Sequence, residues 1–196
     1  TATSAVGGFV VLSDTVNETL DHIGERSLQY QDEVTTWQLH SFIADIPDDT
    51  FLVIGNTGVH ASTSKQVAKV ASLLEKQPER HVEIEAIGSI ARRGIEALRA
   101  GDMESVGKAM TENHIVLRSL GVSSPELEKL IKAAAPSSLG VKLTGSGGGG
   151  CMIALTKNPE QTVGAIEMEG GRAFISPFNS PGVRIETLSS QDDGPQ

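Results

Sequence analysis

An α+β fold with an antiparallel sheet is what this sequence predicts, on three observations. Apolar runs of strand length stand near both ends of the chain, helical patterns crowd the middle, and regular strand-helix alternation is absent. The first run is 6–12, Val-Gly-Gly-Phe-Val-Val-Leu, read as a short buried strand, with Ser13 or Asp14 offering a helix N-cap after it. Residues 15–43 mix helical spacing at Val16, Leu20 and Ile23 with Trp37, Leu39, Phe42 and Ile43, and fit neither template. Pro47-Asp48-Asp49 marks a turn, and 51–55, Phe-Leu-Val-Ile-Gly, is a second strand that runs into the polar loop 56–63.

Four helices are expected next, bounded by caps and breaks. The first covers 64–75 and the second 82–100, with Ile87, Ile90, Ala91 and Leu98 on one side. Gly101-Asp102 separates it from the third, whose stripe of Met103, Val106, Met110, Leu117 and Leu120 ends at Gly121, a favoured residue just past a helix C-terminus. Ser123-Ser124-Pro125-Glu126 starts the fourth, which turns Leu127, Leu130, Ile131 and Ala134 inward. Strands follow at 140–144 and 151–155, then a helix at 158–168. A last strand or hairpin lies within 172–185, interrupted by Pro177 and Pro181, and 189–196 is expected to be a disordered tail.

Composition narrows the function. With 38% hydrophobic and 21% charged residues the chain reads as globular, and no apolar run approaches the ~20 residues that span a bilayer. A formal charge of -9 with scattered basic residues argues against a phosphate-backbone binder, so no nucleic-acid partner is expected. The lone Cys151 cannot close an internal disulfide, which agrees with a reducing cytoplasm, and it heads a strand as a small hydrophobe. The five histidines show neither H-x-H nor H-E-x-x-H spacing, so no metal site is expected from them, and His114, beside an apolar stripe, reads as a packing residue.

The densest signal is Lys142-Leu143-Thr144-Gly145-Ser146-Gly147-Gly148-Gly149-Gly150-Cys151, in which five of the six residues 145–150 are glycine. Such a run lets successive N–H groups converge on an anion, phosphate above all, although a tight strand connection would use the same residues. Gly145, Gly147 and Gly150 satisfy G-x-G-x-x-G, yet a strand follows where a dinucleotide-binding turn must open a helix. A protein-kinase glycine loop would leave fewer than fifty residues for the catalytic loops, and no Lys-Ser or Lys-Thr follows the glycines as a P-loop requires.

This stretch resembles the third motif of the superfamily of galactokinase, homoserine kinase, mevalonate kinase and phosphomevalonate kinase, in its mevalonate-kinase form, with Ser146 in place of the usual Ala. The resemblance extends to Asn113-His114 with Leu117 and Leu120-Gly121-Val122-Ser123, where Val116 replaces a family Leu. It also covers Gly55-Asn56-Thr57-Gly58-Val59 with Ser62-Thr63, and Gly182-Val183-Arg184-Ile185. Val6 stands where many relatives have an aromatic residue, and 12–47 is longer than the family's usual connection.

The resemblance implies a ferredoxin-like C-terminal kinase domain over 51–188, a remnant of the N-terminal domain and connection over 1–50, and the tail 189–196. It implies a Mg-ATP-dependent transfer to mevalonate in isoprenoid biosynthesis, with an N-terminal portion as partner and a homodimer as one assembly. Gly145, Ser146, Gly147, Gly148 and Gly149 would form the nucleotide-phosphate loop, and Ser4 and Thr57 would lie on the substrate side. Thr1–Gly8 resembles the segment that directly follows the family's catalytic Asp, so that Asp is expected just before Thr1 and the chain alone is expected to be inactive. Two other readings stand beside this one: another kinase of the superfamily, such as phosphomevalonate kinase, and a non-catalytic ligand-binding or interaction module derived from the domain.

Overall fold

The structure, a computed structural model, describes residues 2–30, 32–176, 178 and 182–183. Arg184 and Ile185 of the expected closing strand, Pro177, Pro181 and the tail 189–196 lie outside the described residues. The chain divides into two units, Thr1–Ile43 with Asn179–Gln196, and Ala44–Phe178.

The first unit holds a one-turn helix α1 (Ala2–Val6) and strands β1 (Phe9–Ser13), β2 (Asp21–Tyr30) and β3 (Glu33–Phe42), paired antiparallel in the order β1-β3-β2. Two expectations are corrected here. The strand read at 6–12 begins at Phe9, because Val6 ends α1 and Gly7 and Gly8 take positive φ (80° and 56°). Nor is that strand buried: Leu12 is 56% exposed. No helix follows Ser13, whose hydroxyl donates to Thr15 O (2.7 Å), and the unassigned 15–43 is mostly the β2–β3 hairpin. The rings of Phe9 and Phe42, partners in register, stack at 5.2 Å. His40 is fully buried, and its Nε2 accepts from Asn17 N–H at 2.9 Å, fixing the loop that enters β2.

The second unit runs β4 (Phe51–Asn56), α2 (Thr63–Lys76), α3 (His81–Arg99), α4 (Met103–Ser119), α5 (Pro125–Ala134), β5 (Gly140–Leu143), β6 (Cys151–Thr156), α6 (Pro159–Met168) and β7 (Arg172–Ser176). Its antiparallel sheet has the order β5-β6-β4-β7, so the two central strands are the first and third of the unit. That is the ferredoxin-like arrangement. Side-chain caps set the helix starts, the one at Ser124 as the sequence indicated. Ser62 and Asp102 accept from Lys65 N–H and Ser105 N–H to start α2 and α4, and Gly121 (φ 76°) ends α4. Ser124 accepts from Leu127 N–H at 3.3 Å to open α5 with Pro125 in its first turn. Replacing Ser124 with alanine is expected to lower stability by about 1 kcal/mol in urea unfolding.

The core lies between one sheet face and α5 and α6. Leu127, Leu130, Ile131 and Ala134 meet Val53, Val141, Leu143, Met152, Ala154 and Ile166, all buried. Gly55 belongs to this face, since a Cβ there would lie 2.9 Å from Met152 Sδ and 3.1 Å from Ile166.

β5 is an edge strand, and α4 covers its edge. Two side chains of α4 receive N–H groups the sheet leaves free: Val141 N–H donates to Thr111 Oγ1 (3.3 Å) and Leu143 N–H to His114 Nδ1 (3.5 Å). His114 Nε2–H then donates to Glu128 Oε1 on α5 (3.0 Å), which fixes the tautomer. Burial lowers the pKa of His114, against the opposing pull of the Glu128 carboxylate. A histidine held neutral in the fold contributes stability that is complete above its unfolded pKa of about 6.5 and is lost as pH falls below it. The urea midpoint is therefore expected to drop between pH 7 and 5, and to drop less in His114→Gln.

Candidate phosphate-binding site

The site is built where β4 and β6 pair and then diverge. Asn56, at the end of β4, makes an Asx turn: its Oδ1 accepts from Gly58 N–H at 2.7 Å and its Nδ2 donates to Cys151 Sγ at 3.2 Å. Thr57 donates to Gly150 O through both its N–H (2.9 Å) and its hydroxyl (3.0 Å), and Gly150 N–H donates to Val59 O (2.8 Å). From the other side Gly148 N–H donates to Val122 O at 2.7 Å. The 145–150 turn is thus clamped between the loop after β4 and the segment after α4.

Glycine is required here by space as well as by angle. Gly145, Gly147, Gly148, Gly149 and Gly150 all have positive φ, between 74° and 151°. A Cβ at Gly147 would lie 2.1 Å from Val122 O, at Gly148 2.2 Å from Gln66 Nε2, and at Gly149 2.6 Å from Val59 O. Gln66 Oε1 is buried beneath this turn without a hydrogen-bond partner. Above the turn opens a recess of about 390 Å³, walled by Gly145, Ser146, Gly147, Gly149 and Gly150 with Asn56, Val59 and Thr63 among others. Among the described residues no backbone acceptor stands against the N–H groups of Gly145, Ser146, Gly147 or Gly149. α2 begins in the same wall, so its positive N-terminal end adds to the attraction for an anion. Ser146 Oγ donates to Thr63 Oγ1 (3.3 Å) and ties the turn to that helix.

Four of the five residues expected in the phosphate loop line the recess; Gly148 packs instead over Gln66 and Ala61. Thr57 comes to the loop, with its hydroxyl engaged by Gly150. Ser4 is exposed on α1, in the first unit. Asn56, Thr63 and Gly150 join the site too; they lie in the stretches that carry the resemblance but were not among the expected site residues. Asn-x-Gly and the serine-threonine run before α2 were the signals for the first two, whereas nothing in the sequence marked Gln66.

Comparison with known proteins gives a consistent picture. Residues 95–167 match the family model described as GHMP kinases C terminal, the initials being those of the superfamily named above. The mevalonate kinase of Pyrococcus furiosus is 37% identical over 145 residues, 70% of this chain and 43% of that protein. The mevalonate kinase of Thermococcus gammatolerans is 38% identical over the same shares. The crystal structure of L. major mevalonate kinase in complex with R-mevalonate superposes with a TM-score of 0.55 at 28% identity, over 73% of this chain and 43% of that one. The chain spans less than half the length of the curated relatives it matches. With the glycine turn seated between β5 and β6 of a ferredoxin-like sheet, these likenesses show that the chain carries the C-terminal domain of the GHMP kinases.

Proposed function

We propose that this chain is the C-terminal part of a mevalonate kinase, which with its N-terminal portion transfers the γ-phosphoryl group of Mg-ATP to the C5 hydroxyl of mevalonate. The observation that carries the reading is the glycine turn, which lines the recess with residues whose N–H groups meet no backbone acceptor among the described residues, and in which a Cβ at Gly147 or Gly149 would strike Val122 O or Val59 O. Phosphoryl transfer is mostly positioning and charge stabilisation, and the turn is suited to both because its donors are fixed before the anion arrives.

Mg-ATP fits this wall through its phosphate oxygens. Gly145, Ser146, Gly147 and Gly149 would hold them, and the bound nucleotide would supply the phosphoryl group. Magnesium would arrive with the nucleotide. Thr57 would brace the loop on the substrate side.

The test is ADP release from Mg-ATP and mevalonate by the purified chain, alone and after mixing with a separately expressed N-terminal half of the Pyrococcus furiosus enzyme. Turnover only on mixing, with phosphomevalonate inert as acceptor, is the expected result. Turnover with phosphomevalonate instead would assign another kinase of the superfamily. A folded chain that binds no ATP and gives no turnover in either condition would overturn the reading.

A further inference from the structure

The apolar stripe of α3 packs against α4 and leaves a cleft between them. Ile87, Ile90, Ile95 and Leu98 of α3, with Val106 and Met110 of α4, wall a cleft of about 390 Å³ that shares no residue with the glycine recess. Two polar side chains enter its lining, Asn113 of α4 and Lys142 of β5. Neither has a hydrogen-bond or ion-pair partner among the described residues. Glu128, the carboxylate that reaches adjacent His114, is engaged by His114 at 3.0 Å and Arg118 at 3.6 Å.

An ammonium on the wall of an apolar cleft loses water and gains nothing in return, and burial is the sole cause that lowers the Lys142 pKa. An anion would restore the balance, and its remainder would have to be hydrocarbon to match the walls. The lining supplies one positive charge, so a monoanion is matched and a phosphate monoester, with nearly two charges, would leave one uncompensated. We infer that the α3–α4 cleft binds an aliphatic monocarboxylate, its carboxylate on Lys142 and the Asn113 amide and its chain along the isoleucine wall. This inference does not rest on the kinase reading, since it uses neither the glycine turn nor a nucleotide.

The experiment is calorimetric titration of the chain with decanoate below its micellar range, against decanol and decyl phosphate as probes of the head group. Decanoate is expected to bind at one site, at least tenfold more tightly than either probe. Lys142→Met, which keeps the alkyl stem, is expected to cost decanoate at least tenfold and leave decanol unchanged. Ala91→Phe, on the exposed lip of the cleft, is expected to weaken both ligands with the circular dichroism spectrum intact, so the test survives if the lysine variant misfolds. Equal binding of decanoate and decanol, a preference for decyl phosphate, or no saturable site would overturn the inference. Displacement of decanoate by mevalonate would overturn it in favour of a substrate pocket.

Discussion

Gly147→Val is expected to lower turnover of the mixed halves by about two orders of magnitude or more, with the fold of the chain preserved. The reason is the coincidence of angle and space at this position. With φ at 79° any side chain pays the left-handed penalty of roughly 1–2 kcal/mol. Its Cβ would also sit 2.1 Å from Val122 O, a backbone atom that cannot rotate out of the way. Val122 O is moreover the acceptor of Gly148 N–H, so relieving the clash opens the clamp and disperses the N–H groups of the turn that lines the recess. Gly145→Ala supplies the comparison. Its φ of 78° is nearly the same, but nothing lies within 4 Å of the added methyl. The alanine variant is expected to keep turnover within about tenfold of wild type, because strain alone costs only ~1–2 kcal/mol. Equal losses in the two variants would mean that flexibility, and not the clamp, is what the glycines provide.

Much of the second unit was legible because its signals are local. Ser62, Asp102 and Ser124 cap helices where a short side-chain oxygen meets unpaired N–H groups, and Gly121 stops one where a positive φ is needed. The stripe Leu127, Leu130, Ile131 and Ala134 is buried as its spacing indicated. The first unit was not legible for the opposite reason. In β2, Ile23 and Leu28 are exposed, at 38% and 57%, so alternation carries no burial signal, and cross-strand pairs such as Ser27 and Thr36, whose hydroxyls meet at 2.8 Å, help hold the hairpin together. Gly24, at a register shift, breaks the period further. At the site the glycine density was visible, while the clamp was not: Val122 and Gln66 act through a carbonyl and a buried amide, which no residue pattern announces.

The same reasoning predicts the largest loss of stability in the chain at Gly140→Ala. A Cβ on Gly140 would lie 1.9 Å from Gly107 O, and one on Gly107 2.4 Å from Leu139 O, so α4 and β5 meet backbone to backbone. Only a pair of glycines allows that approach, and it is the approach that brings Thr111 and His114 within reach of the β5 edge. An added methyl would push the helix outward, and both N–H groups would lose their acceptors inside the protein. Overpacking and two broken hydrogen bonds together are expected to cost about 3 kcal/mol or more, read as a lowered urea midpoint. Gly164→Ala is the matched control: it lies in α6 with nothing within 4 Å, and alanine there should raise stability by about 0.5–1 kcal/mol through helix propensity. A midpoint for Gly140→Ala equal to wild type would mean that α4 is not seated on the strand edge. The pH dependence assigned to His114 would then fail with it, since both rest on the same contact.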